Sequence, residues 1–132
     1  MRRSSKSRRR IGVVFPGEAA EGAWSGIPWG LGAALRGAGV DAFHLDAEPR
    51  RLFRLPAARI AAIRDGVGVE AGSLGPEAAL LRTVTALARG LGSGRADGLV
   101  QIGTTFEVLS REPKVTFEDA TVLQMLRLGD AW

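Results

Sequence analysis

Short β-branched runs alternate along this chain with segments of helical periodicity, and that alternation restricts it to few folds. Ile11-Gly-Val-Val-Phe15 ends in Pro16-Gly17 and reads as a buried strand followed by a turn. Ile27, Leu31, Ala34, Leu35 and Ala38 then recur at helical spacing, with Ser25 placed to cap, Pro28 in the first turn and Gly37 or Gly39 at the exit. Val40-Asp-Ala-Phe-His-Leu45 gives a second strand, ended by Asp46-Ala-Glu-Pro49. Leu52, Leu55, Arg59, Ile60 and Ile63 mark an amphipathic helix, or two short ones around Pro56, and residues 66–76 read as a Gly/Ser/Pro loop. The clearest helix follows: Pro76 and Glu77 suit its first turn, Leu80, Val84, Leu87 and Leu91 make one face, and Gly90, Gly92 and Gly94 end it. Gly98-Leu-Val-Gln-Ile102 and Lys114-Val-Thr-Phe117 read as two further strands, and a helix is expected from Thr121 through Leu128.

Strands separated by helices require right-handed crossovers and a mainly parallel sheet. The expected fold class is therefore α/β: a Rossmann-like, doubly wound sheet of about four strands, helices on both faces, with the first strand central. Ligands of such sheets sit outside the carboxyl ends of the strands, which selects loops 16–27, 103–105 and 118–121.

At 132 residues and 45% apolar the chain supports one core, not two domains facing each other across a cleft. It contains no cysteine, which excludes disulfides and thiolate metal sites, and His44 is its single histidine. No structural metal and no cofactor are expected. Six of the 18 basic residues fall within the first ten positions, leaving 12 basic against 14 acidic residues in the remainder. Residues 1–10 therefore read as a disordered basic tail, either a solvated leader or a weak contact for an anionic membrane surface. Residues 11–132 form the folded domain, without the basic face that specific nucleic-acid binding requires. The basic start lacks the apolar run of a secretory signal, and no segment approaches the ~18 apolar residues of a membrane span. The expected location is the cytoplasm or the inner face of its membrane.

The loop Gly17-Glu-Ala-Ala-Glu-Gly22-Ala-Trp-Ser25-Gly26 leads from a strand to a helix start, where free N–H groups and the helix dipole favour an anion such as phosphate. It lacks both G-x-G-x-x-G and the P-loop G-K-[S/T], which excludes those two nucleotide signatures. Phospho-receiver chemistry fails for want of an acid pair after the first strand, and a nucleophilic triad for want of G-x-S-x-G. His44, inside a strand, reads as structural. Asp119, after the last strand, either contacts substrate hydroxyls or acts as a base, or it caps the next helix, a role Thr121 can also fill. Trp24 and Trp29 flank the first helix start and either stack on a sugar or pack the loop.

Two segments together, Trp24-Ser25-Gly26-Ile27-Pro28 with Leu31, Leu35 and Gly39-Val40, and Pro113-Lys-Val-Thr-Phe-Glu-Asp119-Ala-Thr121, resemble the amino-terminal domain of GT-B glycosyltransferases of the family-four type. There, a W-S-G-x-P helix start and a D-A-T after a later strand occur in the same order. The resemblance spans most of residues 11–128. It implies an acceptor-side domain, incomplete here, that lines a cleft and helps hold the diphosphate of a nucleotide sugar opposite a glycosyl acceptor. Gly17 and Ser25-Gly26 would match the family's glycine-rich loop, Gly103 and Thr104 its small-residue loop, and Asp119 with Thr121 its cleft-facing polar pair. The donor-binding carboxy-terminal domain of that family is not in this chain. The expectation is a transferase portion that is inactive without that domain, and the alternative is a stand-alone nucleotide or sugar-phosphate binding module without catalysis.

Overall fold

A computed structural model describes residues 8–18, 22, 26–103 and 105–117. Its elements run in the order β1 (Arg10–Phe15), α1 (Ile27–Gly37), β2 (Asp41–Asp46), α2 (Arg51–Asp65), α3 (Val69–Gly72), α4 (Pro76–Gly92), β3 (Gly98–Ile102) and β4 (Lys114–Phe117). The four strands form one parallel sheet in the order β2-β1-β3-β4. The fold is the expected Rossmann-like α/β arrangement, with β1 paired on both edges.

Alternation along β1 divides the core between two faces. Val13 and Phe15 point to one side and pack with Ile102 against Ile27, Leu31 and Leu35 of α1. Val14 points to the other and joins Leu45, Leu99, Ala86 of α4, and Phe106 and Val108 of the β3–β4 connection. Gly12 is small for a steric reason: a Cβ there would lie 2.7 Å from Leu99 and 3.0 Å from the Phe43 ring.

The helix caps differ from the expected pattern. Gly26, in the left-handed region at φ 79°, occupies the cap position of α1 and makes no side-chain capping bond. Ser25, expected to cap, lies outside the described residues, as does the segment of the helix expected from Thr121. Residues 66–76 are not wholly loop, because α3 forms within them. Helix α2 continues through Pro56, whose missing N–H leaves the Leu52 carbonyl without its intrahelical donor on the exposed face.

Arg10 is a correction to the basic tail: it is the first residue of β1. Its N–H donates to Asp97 Oδ2 at 2.8 Å, its guanidinium lies 4.0 Å from the Phe43 ring centroid, and Asp41 is 3.5 Å away. A cation with an aromatic face and a carboxylate in reach gains more in the sheet than in solvent. Arg8 and Arg9 are exposed, and residues 1–7 lie outside the described residues.

The two longest helices are oriented against their apolar pattern. Leu80, Val84, Leu87 and Leu91 share one face of α4 as expected, but that face is 40–79% exposed, and Ala78, Arg82 and Ala86 point inward. In α2 the inward residues are Ala57, Ala58, Ala61 and Ala62. Small side chains let backbones approach closely. A Cβ on Gly72 of α3 would lie 2.2 Å from the Ala58 carbonyl oxygen of α2.

Candidate functional site

The chain leaves β1 through α1 toward β2 on one side and returns through α4 to β3 on the other, so the order reverses between β1 and β3. The carboxyl ends of these two strands flank the crevice where such sheets bind ligands. Register pairs Val14 with Gln101, which brings the Gly17 and Gly103 turns to the same end of the sheet. Gly26, at the amino terminus of α1, follows the Gly17 loop.

Gly17 adopts φ 112°, a conformation side chains disfavour. Both of its backbone polar groups are engaged. Its N–H donates to Asp46 Oδ1 at 2.8 Å, and its carbonyl oxygen lies 2.7 Å from His44 Nε2. Asp46 Oδ1 also accepts the Glu48 N–H at 2.7 Å, while Oδ2 lies 3.0 Å from Arg89 Nη1. The turn is thus latched to the end of β2. The Gly17 N–H, expected from sequence as a phosphate donor, is already committed to a carboxylate.

His44 sits beneath this latch with Nδ1 3.2 Å from the Val13 carbonyl oxygen. Both ring nitrogens face carbonyl oxygens, and the shorter distance makes the Nε2–H the donor to Gly17. The structural role expected for His44 is therefore specific: it holds the Gly17 carbonyl. Asp46 acts on the same glycine from the opposite polarity, a role no local pattern announces.

Gly103, at φ 87°, is equally constrained. Its N–H donates to the Phe117 carbonyl at 2.9 Å, and its own carbonyl accepts from Gln101 Nε2 at 2.8 Å. Gln101 is 1% exposed and also donates to the Phe106 carbonyl at 2.7 Å, while its Oε1 accepts the Val108 N–H at 3.1 Å. Sequence reading passed over Gln101 as a strand residue. The available signal was a long amide inside an otherwise apolar run.

Beside the latch, Glu48 accepts from Arg54 Nη1 at 2.7 Å and lies 3.8 Å from Arg82 Nε. Burial is the largest influence on the Arg82 guanidinium and lowers its pKa, with Glu48 opposing that effect. Arg82 Nη1 donates to the Ser73 carbonyl at 3.0 Å, whereas Nε is buried without a hydrogen-bond acceptor.

Of the residues expected at the site, Gly17, Gly26 and Gly103 stand at the sheet end and the α1 terminus. Trp24, Ser25, Thr104, Asp119 and Thr121 lie outside the described residues. The first turn of α1 carries no acidic residue and no side-chain cap, and Pro28 removes one of its donors. Among the described residues no side chain offsets the partial positive charge of that helix terminus. Among the described residues no three metal-ligating side chains converge, and no helix is long and apolar enough to cross a membrane.

A cavity of about 560 Å³ lies away from this end, between the carboxyl half of α4 and residues 108–112. Aliphatic side chains of the sheet and α4, among them Val14, Leu45, Leu87 and Leu99, form much of its wall, so it offers volume rather than reactive groups. Comparison of the chain with protein-family profiles, with curated proteins and with solved structures gives no match.

Proposed function

We propose that this chain is the acceptor-side portion of a nucleotide-sugar-dependent glycosyltransferase. The observation that carries the reading is the amino terminus of α1, which among the described residues has no side-chain cap and no acid in its first turn, and which follows β1 in a parallel sheet whose order reverses between β1 and β3. An anion there gains the dipole and the free N–H groups of the first turn. The donor of such a reaction is a nucleoside diphosphate sugar, whose phosphates suit that terminus. The resemblance of the Trp24–Pro28 and Pro113–Thr121 segments supports the same reading, with Ser25 and Gly26 toward phosphate and Asp119 with Thr121 toward the acceptor. Because the Gly17 N–H is held by Asp46, the phosphate donors come from the α1 turn and not from Gly17.

Glycosyl transfer needs donor and acceptor held at reacting distance in a closed, dry site. A half-cleft binds but does not turn over. The partners of this portion are therefore the nucleotide sugar, the acceptor and a donor-binding domain, and its proposed location is the cytoplasm. A second reading, a stand-alone nucleotide or sugar-phosphate binder, is favoured by one observation: the glycine turns are already fixed by groups of this chain alone.

Thermal unfolding with and without a panel of nucleoside diphosphate sugars tests both. Saturation at ~100 times the dissociation constant adds about 2.7 kcal/mol. No shift with any member of the panel sinks both readings. Enzyme-like turnover by the isolated chain refutes the half-cleft reading. A shift shared by nucleoside diphosphates and their sugars, with transfer restored by a supplied donor-binding domain, supports the transferase over the binder.

A further inference from the structure

Helix α4 reaches its carboxyl end without the side chains that would fill the space beneath it. Its buried positions Ala78, Arg82 and Ala86 recur every fourth residue, and the next step along that line is Gly90. A Cβ added at Gly90 would meet nothing within 4 Å. The sheet presents Val14, Phe43, Leu45 and Leu99 to this gap, Val108 and Leu109 close its other side, and the result is the cavity of about 560 Å³. That volume falls within the roughly 300–1,000 Å³ of small-molecule sites. Close-packed interiors hold few voids larger than a water, so a gap of this size forgoes dispersion contacts along all its walls. Polar residues gather at one end of it. Ser93 and Gly94 precede β3 and residues 110–112 precede β4, two strands whose amino ends pair at Leu99 and Lys114. At this mouth Ser110 Oγ donates to Glu112, and that hydrogen bond, with the charge of Arg95, holds the Glu112 carboxyl below its ordinary 4.5. Arg111 is exposed and has no ion-pair partner among the described residues.

We propose that this cavity binds a single-chain aliphatic carboxylate, its hydrocarbon between α4 and the sheet and its head beside Arg111. Aliphatic walls with no reactive group suit hydrocarbon, and each methylene they cover contributes about 0.8 kcal/mol. From Ala86 to Ser93 the α4 wall is about 10 Å long at 1.5 Å per residue, which suits a chain of about ten carbons. The mouth selects the head by charge. Arg95 is offset by Glu112, so the charge left over is that of Arg111, and a guanidinium pairs with a carboxylate bidentately. A cationic amphiphile gains nothing there. The cavity opens at the end of the sheet opposite the Gly17 and Gly103 turns, and the proposal does not depend on the transferase reading.

The test is calorimetric titration of the full chain with decanoate, octanoate, decanol and decyltrimethylammonium, each below the concentration at which it forms micelles. Decanoate is expected to bind, with octanoate weaker by about tenfold, as two fewer buried methylenes require. Gly90→Leu puts a side chain into the open space and removes a glycine from a helix, so it should weaken decanoate by about tenfold or more while the unfolding temperature holds or rises. Arg111→Gln, at an exposed position, should weaken decanoate by about tenfold and leave decanol unchanged. Arg59→Gln, exposed on α2, should bind as the parent does. Absence of decanoate binding overturns the proposal, including the case in which sedimentation shows a second copy covering the mouth. So does a folded Gly90→Leu protein that binds undiminished, or binding of decanol or decyltrimethylammonium as tight as that of decanoate.

Discussion

Replacing Gln101 by leucine should be among the most damaging single changes in the described fold, although it puts an apolar residue into an apolar strand. Leucine approximates the volume, so no large cavity forms. What is lost is one partner each for the Gly103 carbonyl, the Phe106 carbonyl and the Val108 N–H, all on buried residues. A buried group left unsatisfied costs about 1–3 kcal/mol, so three in a rigid loop approach about 3–9. Burial of the leucine and partial opening of the loop to water offset part of this, leaving about 2–5 kcal/mol. Against the roughly 5–15 kcal/mol of a whole domain, that is a large fraction. Urea unfolding followed by circular dichroism measures it, with amide exchange at Val108 as the local reporter. Gln101→Glu is the control. Its carboxylate would face two carbonyl oxygens, so it should carry a proton when folded, with a raised pKa, and its stability should fall as pH rises through that value. A loss under about 1 kcal/mol for Gln101→Leu, with Val108 still protected, would refute the view that this amide suspends the loop.

Gly72→Ala should destabilise by at least about 2 kcal/mol in the same assay, because its Cβ would lie 2.2 Å from a backbone oxygen of α2, whereas Gly90→Ala, with open space inside α4, should gain about 0.5–1. Leu91→Ser, at a position 79% exposed, should change stability by no more than about 0.5 kcal/mol, and a loss above about 2 would mean that something covers the α4 stripe. Asp46→Ala should unlatch Gly17 and speed proteolysis within residues 17–26, while leaving β2 paired. The Arg64 hydrogen bond holds the Asp65 carboxyl below its ordinary 3.8. The pair's stabilising effect is thus complete above that value and lost as pH falls through the lower folded one, so Asp65→Asn should slightly flatten the acid limb of the urea midpoint.

The elements that were legible in the sequence are those specified by neighbours along the chain. Ile11–Phe15, Gly98–Ile102 and Lys114–Phe117 are apolar or β-branched runs between turn residues, and a parallel sheet follows once helices separate them. What was not legible depends on residues far apart. Arg10 reads as tail because six cations crowd the first ten positions; its partners Phe43, Asp41 and Asp97 lie 31 or more residues away, and Asp97 is separated from it by 87. Periodicity in α2 and α4 showed that a face exists but not which arc the fold covers, because alanines win wherever helix backbones come close. At the site, the glycines were legible from their loops. The Asp46 and His44 latch was not, since it pairs Gly17 with residues 27 and 29 positions on.

The hydrophobic effect links the apolar outer faces of α2 and α4 to the hydrogen-bonded strand mouths. A fully covered leucine or isoleucine contributes about 1.5–3 kcal/mol, a buried alanine much less. A domain that places alanines inside α2 and α4 and keeps Leu52, Ile60, Ile63, Leu80 and Leu91 outside forgoes several such contributions from a total of roughly 5–15. Strand mouths show the opposite economy, because the backbone N–H and carbonyl of Gly17 and of Gly103 are each matched to a partner of the same chain. Rigidity there is therefore obtained from hydrogen bonds rather than from bulk, and the large apolar side chains remain available for contacts outside the fold.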